Sequence, residues 1–196
     1  MYDLHKSGSH SFKWLNEVKN ILYNVRLNFI WDQQTADTDS LKNIVKDLLT
    51  SQFYQSWSSE ILSMSKCCNY KIFKDNFALE KYLTILPDKL RIPLTKFRCR
   101  NHKLPIVNGI FLSINKSERF CKMCNSGVVG DEYHYIFICP YFDSYHNKFI
   151  PEYFIKRPSH NTFFELFNSN KPEVLTKLAK FAKIILNVLT KNCNLV

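Results

Sequence analysis

Glycine is scarce in this chain, with four in 196 residues. A β-sandwich or barrel reverses direction about every 8–12 residues and leans on glycine to do so. Leu, Lys, Asn and Phe recur instead at three- and four-residue spacing, so the expected fold is mainly α, a helical domain with an embedded metal segment. Also missing is any apolar run near the about 20 residues of a membrane span, and MYDLHKSGSHSFKW lacks the apolar stretch of a secretory signal. The expectation is a soluble intracellular protein, nuclear or cytoplasmic, with no membrane partner. No Gly-, Ser- or Pro-rich linker and no fixed-period repeat divides it. The 45% hydrophobic and 15% aromatic content supplies a substantial core, which excludes a disordered tail.

Acidic residues are in deficit: 17 against 27 Lys and Arg, for a net charge of +10. Such a surface attracts polyanions, and nothing in it singles out a small-molecule substrate. The excess is local. Lys89, Arg91, Lys96, Arg98, Arg100, Lys103, Lys116, Arg119 and Lys122 face only Asp88 and Glu118 between positions 88 and 122. Of these, Lys96, Arg98, Arg100, Lys103, Arg119 and Lys122 are the candidate nucleic-acid contacts; the competing reading is a solvated helix face.

Seven cysteines cannot all pair, and thiols in an intracellular protein stay reduced, so metal binding is favoured over disulfides. Cys121, Cys124, His134 and Cys139 follow the order Cys-x2-Cys-x9-His-x4-Cys within nineteen residues, a ligand set suited to one tetrahedral zinc ion. On a continuous helix His134 and Cys139 would diverge by about 140°, so the chain must unwind between them. Pro140 supplies the means, because it disfavours helical geometry at Cys139. Asp131 and Glu132 are read as caps of the short helix carrying His134. Four protein ligands leave no open position, so the zinc is expected to be structural and the chain not an enzyme. His146 reads as a surface histidine. Cys67, Cys68, Cys99 and Cys193 read as ordinary buried thiols, with a second site built from Cys67, Cys68, Cys99 and His102 as the alternative.

Periodicity predicts helices around this segment. Ser11 caps a first one with Leu15, Val18, Leu22, Val25 and Phe29 on its apolar face. Asp37, Thr38 and Asp39 offer caps to a second, of more than twenty residues, running from Leu41 to Met64. Residues between Cys67 and Leu86 form a connector of unclear period. Pro93 starts a helix ending near His102, with Lys96, Arg98 and Arg100 outward. Asn170 caps a last helix with Leu178, Phe181, Ala182, Ile185 and Leu189 on one side and Lys177, Lys180, Lys183 and Lys191 mostly off it. The working division is 1–87, 88–158 and 159–196, taken as one compact unit.

The runs RIPLTKFRCRNHKLPIVNGIF, RFCKMC and DEYHYIFICPYFDSY together resemble the zinc-binding segment near the C-terminus of non-LTR retrotransposon reverse transcriptases. The match falls on Lys96, Phe97, Arg98, His102, Leu104 and Ile106, then on the four metal ligands, then on Pro140 and Tyr141. It covers roughly positions 88 to 150. Family members often carry an acidic residue and an arginine around the glycine that follows, where this chain reads Val107, Asn108, Gly109 and Ile110. The Tyr/Phe-Ala-Asp-Asp carboxylates of the polymerase and an endonuclease domain are absent, so the chain resembles a detached C-terminal region of such an element. The resemblance implies engagement of template RNA or target DNA, with the rest of a reverse transcriptase polyprotein as a further partner. Phe97, Phe120, Tyr133, Tyr135 and Tyr141 are candidate stacking faces, Phe120 and Tyr133 foremost. A zinc-stabilised protein-interaction module, its C-terminal helix in a partner's groove, is the alternative.

Overall fold

The computed structural model describes residues 12–34, 37–64, 69–74 and 76–193, with Asp3 and Gly8 besides; 192 and 193 are described as backbone. Ser11, Cys67 and Cys68 lie outside the described residues, as does the Cys193 side chain. The fold is mainly α. Among the described residues there is no strand, only an isolated antiparallel bridge between Phe120 and Val129. No helix among them is long and apolar enough to cross a membrane. The chain divides into two compact units, Met1–Glu60 and Ile61–Val196, so the sequence-derived boundary at 87/88 falls inside the second.

In the first unit α1 spans Lys13–Asn24 and α2 Asn28–Gln33, where periodicity suggested one helix through Phe29. Helix α1 stops because Arg26 takes a left-handed conformation (φ 61°), with Arg26 N–H on Tyr23 O and Leu27 N–H on Leu22 O. That pair of bonds is a Schellman closure formed without glycine. Leu15, Leu22 and Trp31 form the small core, with Leu41 and Val45 against them, while Val18 and Phe29 are exposed. Helix α3, Thr38–Ser63, has the expected length and starts at Asp37, whose Oδ2 accepts Ser40 N–H at 3.0 Å.

The second unit carries the candidate site. The unclear connector resolves into two short helices, α4 (Tyr70–Phe73) and α5 (Lys81–Ile85). Helix α6 spans Asp88–Arg98 and holds Pro93 inside it. The predicted start at Pro93 is therefore corrected: the ring removes the bond to the Lys89 carbonyl and crowds it, while fully buried Leu94 and Phe97 secure the turns after it. Each such side chain contributes about 1.5–3 kcal/mol. Helix α7 is Pro105–Phe111, α8 Asp143–Phe149, α9 Glu152–Lys156, α10 His160–Phe167 and α11 Pro172–Cys193. Helix α10 has a complete capping box between Ser159 and Thr162. Helix α11 is the axis of the unit. Leu178, Phe181, Ala182, Ile185 and Leu189 are buried along one side, as their spacing predicted, and its largest packing contact is with α6. Leu175 N–H closes on Lys171 O, placing the cap one residue later than Asn170.

Candidate metal centre

The four ligands come from the Cys121–Cys124 loop, from a helical turn carrying His134 and from Cys139 just after it. The Phe120–Val129 bridge, with Cys121 N–H on Val128 O (2.8 Å) and Gly130 N–H on Arg119 O (2.9 Å), folds the loop that carries Cys121 and Cys124 back on itself. Gly130 is required there. A Cβ on it would lie 2.9 Å from Pro105 Cγ and 3.0 Å from Cys121 Cα, so a side chain would push the cysteine out of place.

Asp131 caps the next turn as expected, its Oδ1 accepting His134 N–H at 2.8 Å. The turn is then widened to a π-turn over His134–Ile138, closed by Cys139 N–H on His134 O at 2.8 Å. Cys139 leaves it extended (φ −65°, ψ 113°), the geometry Pro140 demands of its predecessor. The unwinding inferred from sequence is present, and the widened turn is the local device that produces it.

Cys121 Sγ and Cys139 Sγ are 3.8 Å apart, and Cys124 Sγ is 3.4 Å from His134 Nε2. All four ligand atoms lie within 4.8 Å of one another. Metal–sulfur bonds of about 2.3 Å and metal–nitrogen bonds of about 2.0–2.1 Å give a zinc tetrahedron edges of about 3.8 Å (S–S) and about 3.5 Å (S–N). The donor set therefore fits one metal ion of that size.

The surroundings favour the thiolate at two of the three sulfurs. Cys121 is held down to about 3, first by the hydrogen bond from Cys139 and, against its burial, by those from His134, Tyr135 and Met123 N–H. Cys139, sharing that proton, is pushed up. Cys124 is lowered: burial opposes this, and the Ser126 hydroxyl (3.0 Å) and backbone outweigh it. His134 is raised despite its desolvation because Cys121 and Cys124 face it. The Tyr135 hydroxyl, in a fully buried ring, lies 3.4 Å from Cys121 Sγ. Cys121, Cys124, His134 and Cys139 would hold one metal ion, whose binding would require the thiols to be deprotonated.

The basic residues divide by type. Arg98 is corrected from an outward contact to a core residue, 1% exposed. Its Nη2 pairs with Glu80 Oε2 at 2.5 Å, its Nη1 donates to Phe167 O and Asn168 Oδ1, and its guanidinium lies 4.6 and 5.0 Å from the Phe73 and Tyr82 ring centres. Arg100 is turned inward too, its Nε on Glu132 Oε1 at 3.1 Å. Arg119 crosses Gly109, where a Cβ would meet its Cγ at 2.5 Å, and donates to Ile106 O and Ile114 O. These three arginines hold the fold together, whereas Lys96, Lys103 and Lys122 are exposed.

Two further residues differ from expectation. Glu132, read as a cap, is buried and receives both Arg100 and His102 Nε2 (2.9 Å). Leu104 N–H donates to His102 Nδ1, which leaves neither His102 nitrogen free for a second metal; Cys99 is half-buried. His146, read as a surface histidine, is buried with Nε2 3.2 Å from Tyr135 O and Nδ1 3.5 Å from Asp143. Burial is what lowers its pKa, in spite of those two partners. Among the stacking candidates, Phe97 and Tyr135 are buried, Tyr133 is half-buried against Phe137, His160 and Phe163, and Phe120 and Tyr141 are exposed. Glu80 and Tyr135 were not singled out as partners of Arg98 and Cys121, and only their apolar neighbours hinted at burial. In comparisons with family models, curated proteins and solved structures, the chain matches none.

Proposed function

We propose that this chain is a non-catalytic nucleic-acid-binding region, stabilised by one structural zinc ion on Cys121, Cys124, His134 and Cys139, and derived from a non-LTR retrotransposon reverse transcriptase. One observation carries the binding reading: the segment entering the metal loop has a large surplus of cations. With Arg98, Arg100 and Arg119 committed to the fold and Arg91 paired with Asp88 at the surface, Lys89, Lys96, Lys103, Lys116 and Lys122 remain exposed and form no ion pair among the described residues. Ammonium groups without carboxylate partners are suited to phosphate oxygens. The origin draws support from the way the resembling motif packs. Phe97, Arg98, His102, Leu104 and Ile106 are buried, and His102 bonds to Glu132 beside the ligand His134, so the two halves of the motif form one unit.

The zinc would tie the Cys121–Cys124 loop to the π-turn, and with four protein ligands it holds no catalytic water. The test has two arms. Metal analysis of purified protein should find one zinc per chain, lost in Cys124→Ala and His134→Ala; folded protein without metal would remove the zinc from the proposal. Fluorescence anisotropy should find single-stranded RNA or DNA bound at low salt, more weakly in Lys96→Glu/Lys103→Glu with its zinc retained. No affinity at low salt would defeat the nucleic-acid reading and leave the interaction module.

A further inference from the structure

A cleft of about 400 Å³ opens where the C-terminal end of α6, the end of α7 and the last turns of α11 meet. Lys96, Asn101 and Lys103 contribute from the α6 end and its following loop, Phe111 from the end of α7, and Leu186 and Leu189 from α11. No carboxylate among the described residues lines it. Its size lies in the range of about 300–1,000 Å³ typical of small-ligand sites. Phe111 is left 70% exposed although its helix buries Ile106 and Val107 in the core. Both lysines are exposed and without an ion-pair partner among the described residues. Two parts of the loop are fixed from below. Asn101 N–H is bound to Lys96 O at 2.8 Å, and the His102 ring is held between Glu132 and Leu104 N–H, so Lys96 and Lys103 rise from a braced turn.

We infer that this cleft is a single-stranded nucleotide seat, in which Phe111 stacks on a base while Lys96 and Lys103 take the phosphates on either side of it. The inference rests on the nucleic-acid reading above and gives it an address. An uncovered aromatic ring beside two ammonium groups offers what an unpaired nucleotide has to satisfy: a π-face and a charged backbone. The Asn101 amide adds a donor and an acceptor at the same rim, capable of meeting a base edge. An apolar partner helix fits less well, since docking would desolvate both lysines with nothing to pair them.

The experiment uses the full zinc-loaded chain and fluorescein-labelled oligo-dU and oligo-rU in anisotropy titrations over a salt series. Phe111→Ala should weaken binding by roughly one order of magnitude, the loss seen when a stacked base loses its ring. Phe111→Trp should restore it. Lys96→Ala and Lys103→Ala should each reduce the slope of log K against log salt by about 0.7. Tyr153→Ala, an exposed aromatic on α9, is the control and should change neither quantity. Zinc content measured alongside establishes that each variant is folded at the metal loop. A parent that binds but loses nothing with Phe111→Ala overturns the seat and leaves the broader reading standing. A parent that binds neither oligomer at low salt overturns both, and equal affinity for poly-glutamate would reassign the cleft to an acidic peptide.

Discussion

Arg98 provides the sharpest test of the internal architecture. Burial pulls its pKa down, opposed by the Glu80 carboxylate, and its guanidinium is enclosed by the Phe73 and Tyr82 rings while bonding to Phe167 O and Asn168 Oδ1. Arg98→Met keeps much of the volume but leaves Glu80, whose side chain is 14% exposed, with only the Lys74 ammonium at 3.7 Å, and strips a donor from the Phe167 carbonyl. Removing one member of a buried pair costs about 3–5 kcal/mol, most of it the uncompensated charge left behind. For a chain of this size that is a fall in Tm on the order of 10 °C. Thermal and urea unfolding followed by circular dichroism, with zinc in excess, should show the loss. Arg98→Met/Glu80→Gln should recover at least half of it, because the carboxylate left with only the longer Lys74 contact is gone. A loss under about 1 kcal/mol, or a single variant no worse than the double, would refute the assignment. Normal stability with weakened oligonucleotide binding would return Arg98 to the phosphate contacts.

Ser113 closes α7 at φ 53°, with Ser113 N–H on Ile110 O and Ile114 N–H on Gly109 O; Ser113→Gly should raise stability by about 1 kcal/mol in urea titrations, the left-handed penalty of a Cβ. Glu132 is held below its ordinary 4.5: burial opposes this, and the His102 hydrogen bond and the His102 and Arg100 charges outweigh it. A depressed carboxylate adds stability above its unfolded pKa and loses it as pH falls through the folded value, so unfolding free energy should drop below about pH 4, less steeply in Glu132→Gln. Tyr135→Phe removes the hydroxyl beside Cys121 Sγ and should weaken zinc affinity about tenfold in chelator competition, with the fold retained by circular dichroism.

The ligand set was legible because metal chemistry constrains residue type and spacing together, and Pro140 announced the break before Cys139 through a local steric rule. Helix α11 was legible because its apolar stripe is continuous. Helix ends were not. Arg26, Arg100 and Ser113 all take the left-handed conformation that sequence reading assigns to glycine, so α1 was drawn through its true end and α6 past Arg98. At Arg100 the strain is retained with Arg100 N–H on Phe97 O and Asn101 N–H on Lys96 O, and the same residue reaches Glu132. The burial of Arg98, Glu132 and His146 was equally hidden. Each is polar by composition and becomes a core residue only through partners distant in sequence, Glu80 and Phe167 for the first, His102 for the second and the Tyr135 carbonyl for the third.

Those buried partners change what the chain's positive charge can do. Guanidinium, a planar fork of five donors, is the group that can be satisfied inside a protein by carbonyls and carboxylates, whereas an ammonium is strongly hydrated and stays out. In segment 88–122 three of the four arginines follow that rule, Arg98, Arg100 and Arg119 being committed to the fold, while Arg91 pairs with Asp88 at the surface and bonds Leu86 O. On the proposed nucleic-acid binding, the five lysines, unpaired among the described residues, are the cations that would release counterions. At about 0.7 per phosphate contact on a single strand, they limit this segment's share of the salt slope to about 3.5, where all nine basic residues would give about 6. Neutralising the five lysines to Gln should remove no more than that, and Arg91→Gln should remove nothing. A slope unchanged by the lysine substitutions, or reduced by about 0.7 with Arg91→Gln, would mean that phosphates are met by the arginines after all, and that the division of labour between the two cations is wrong.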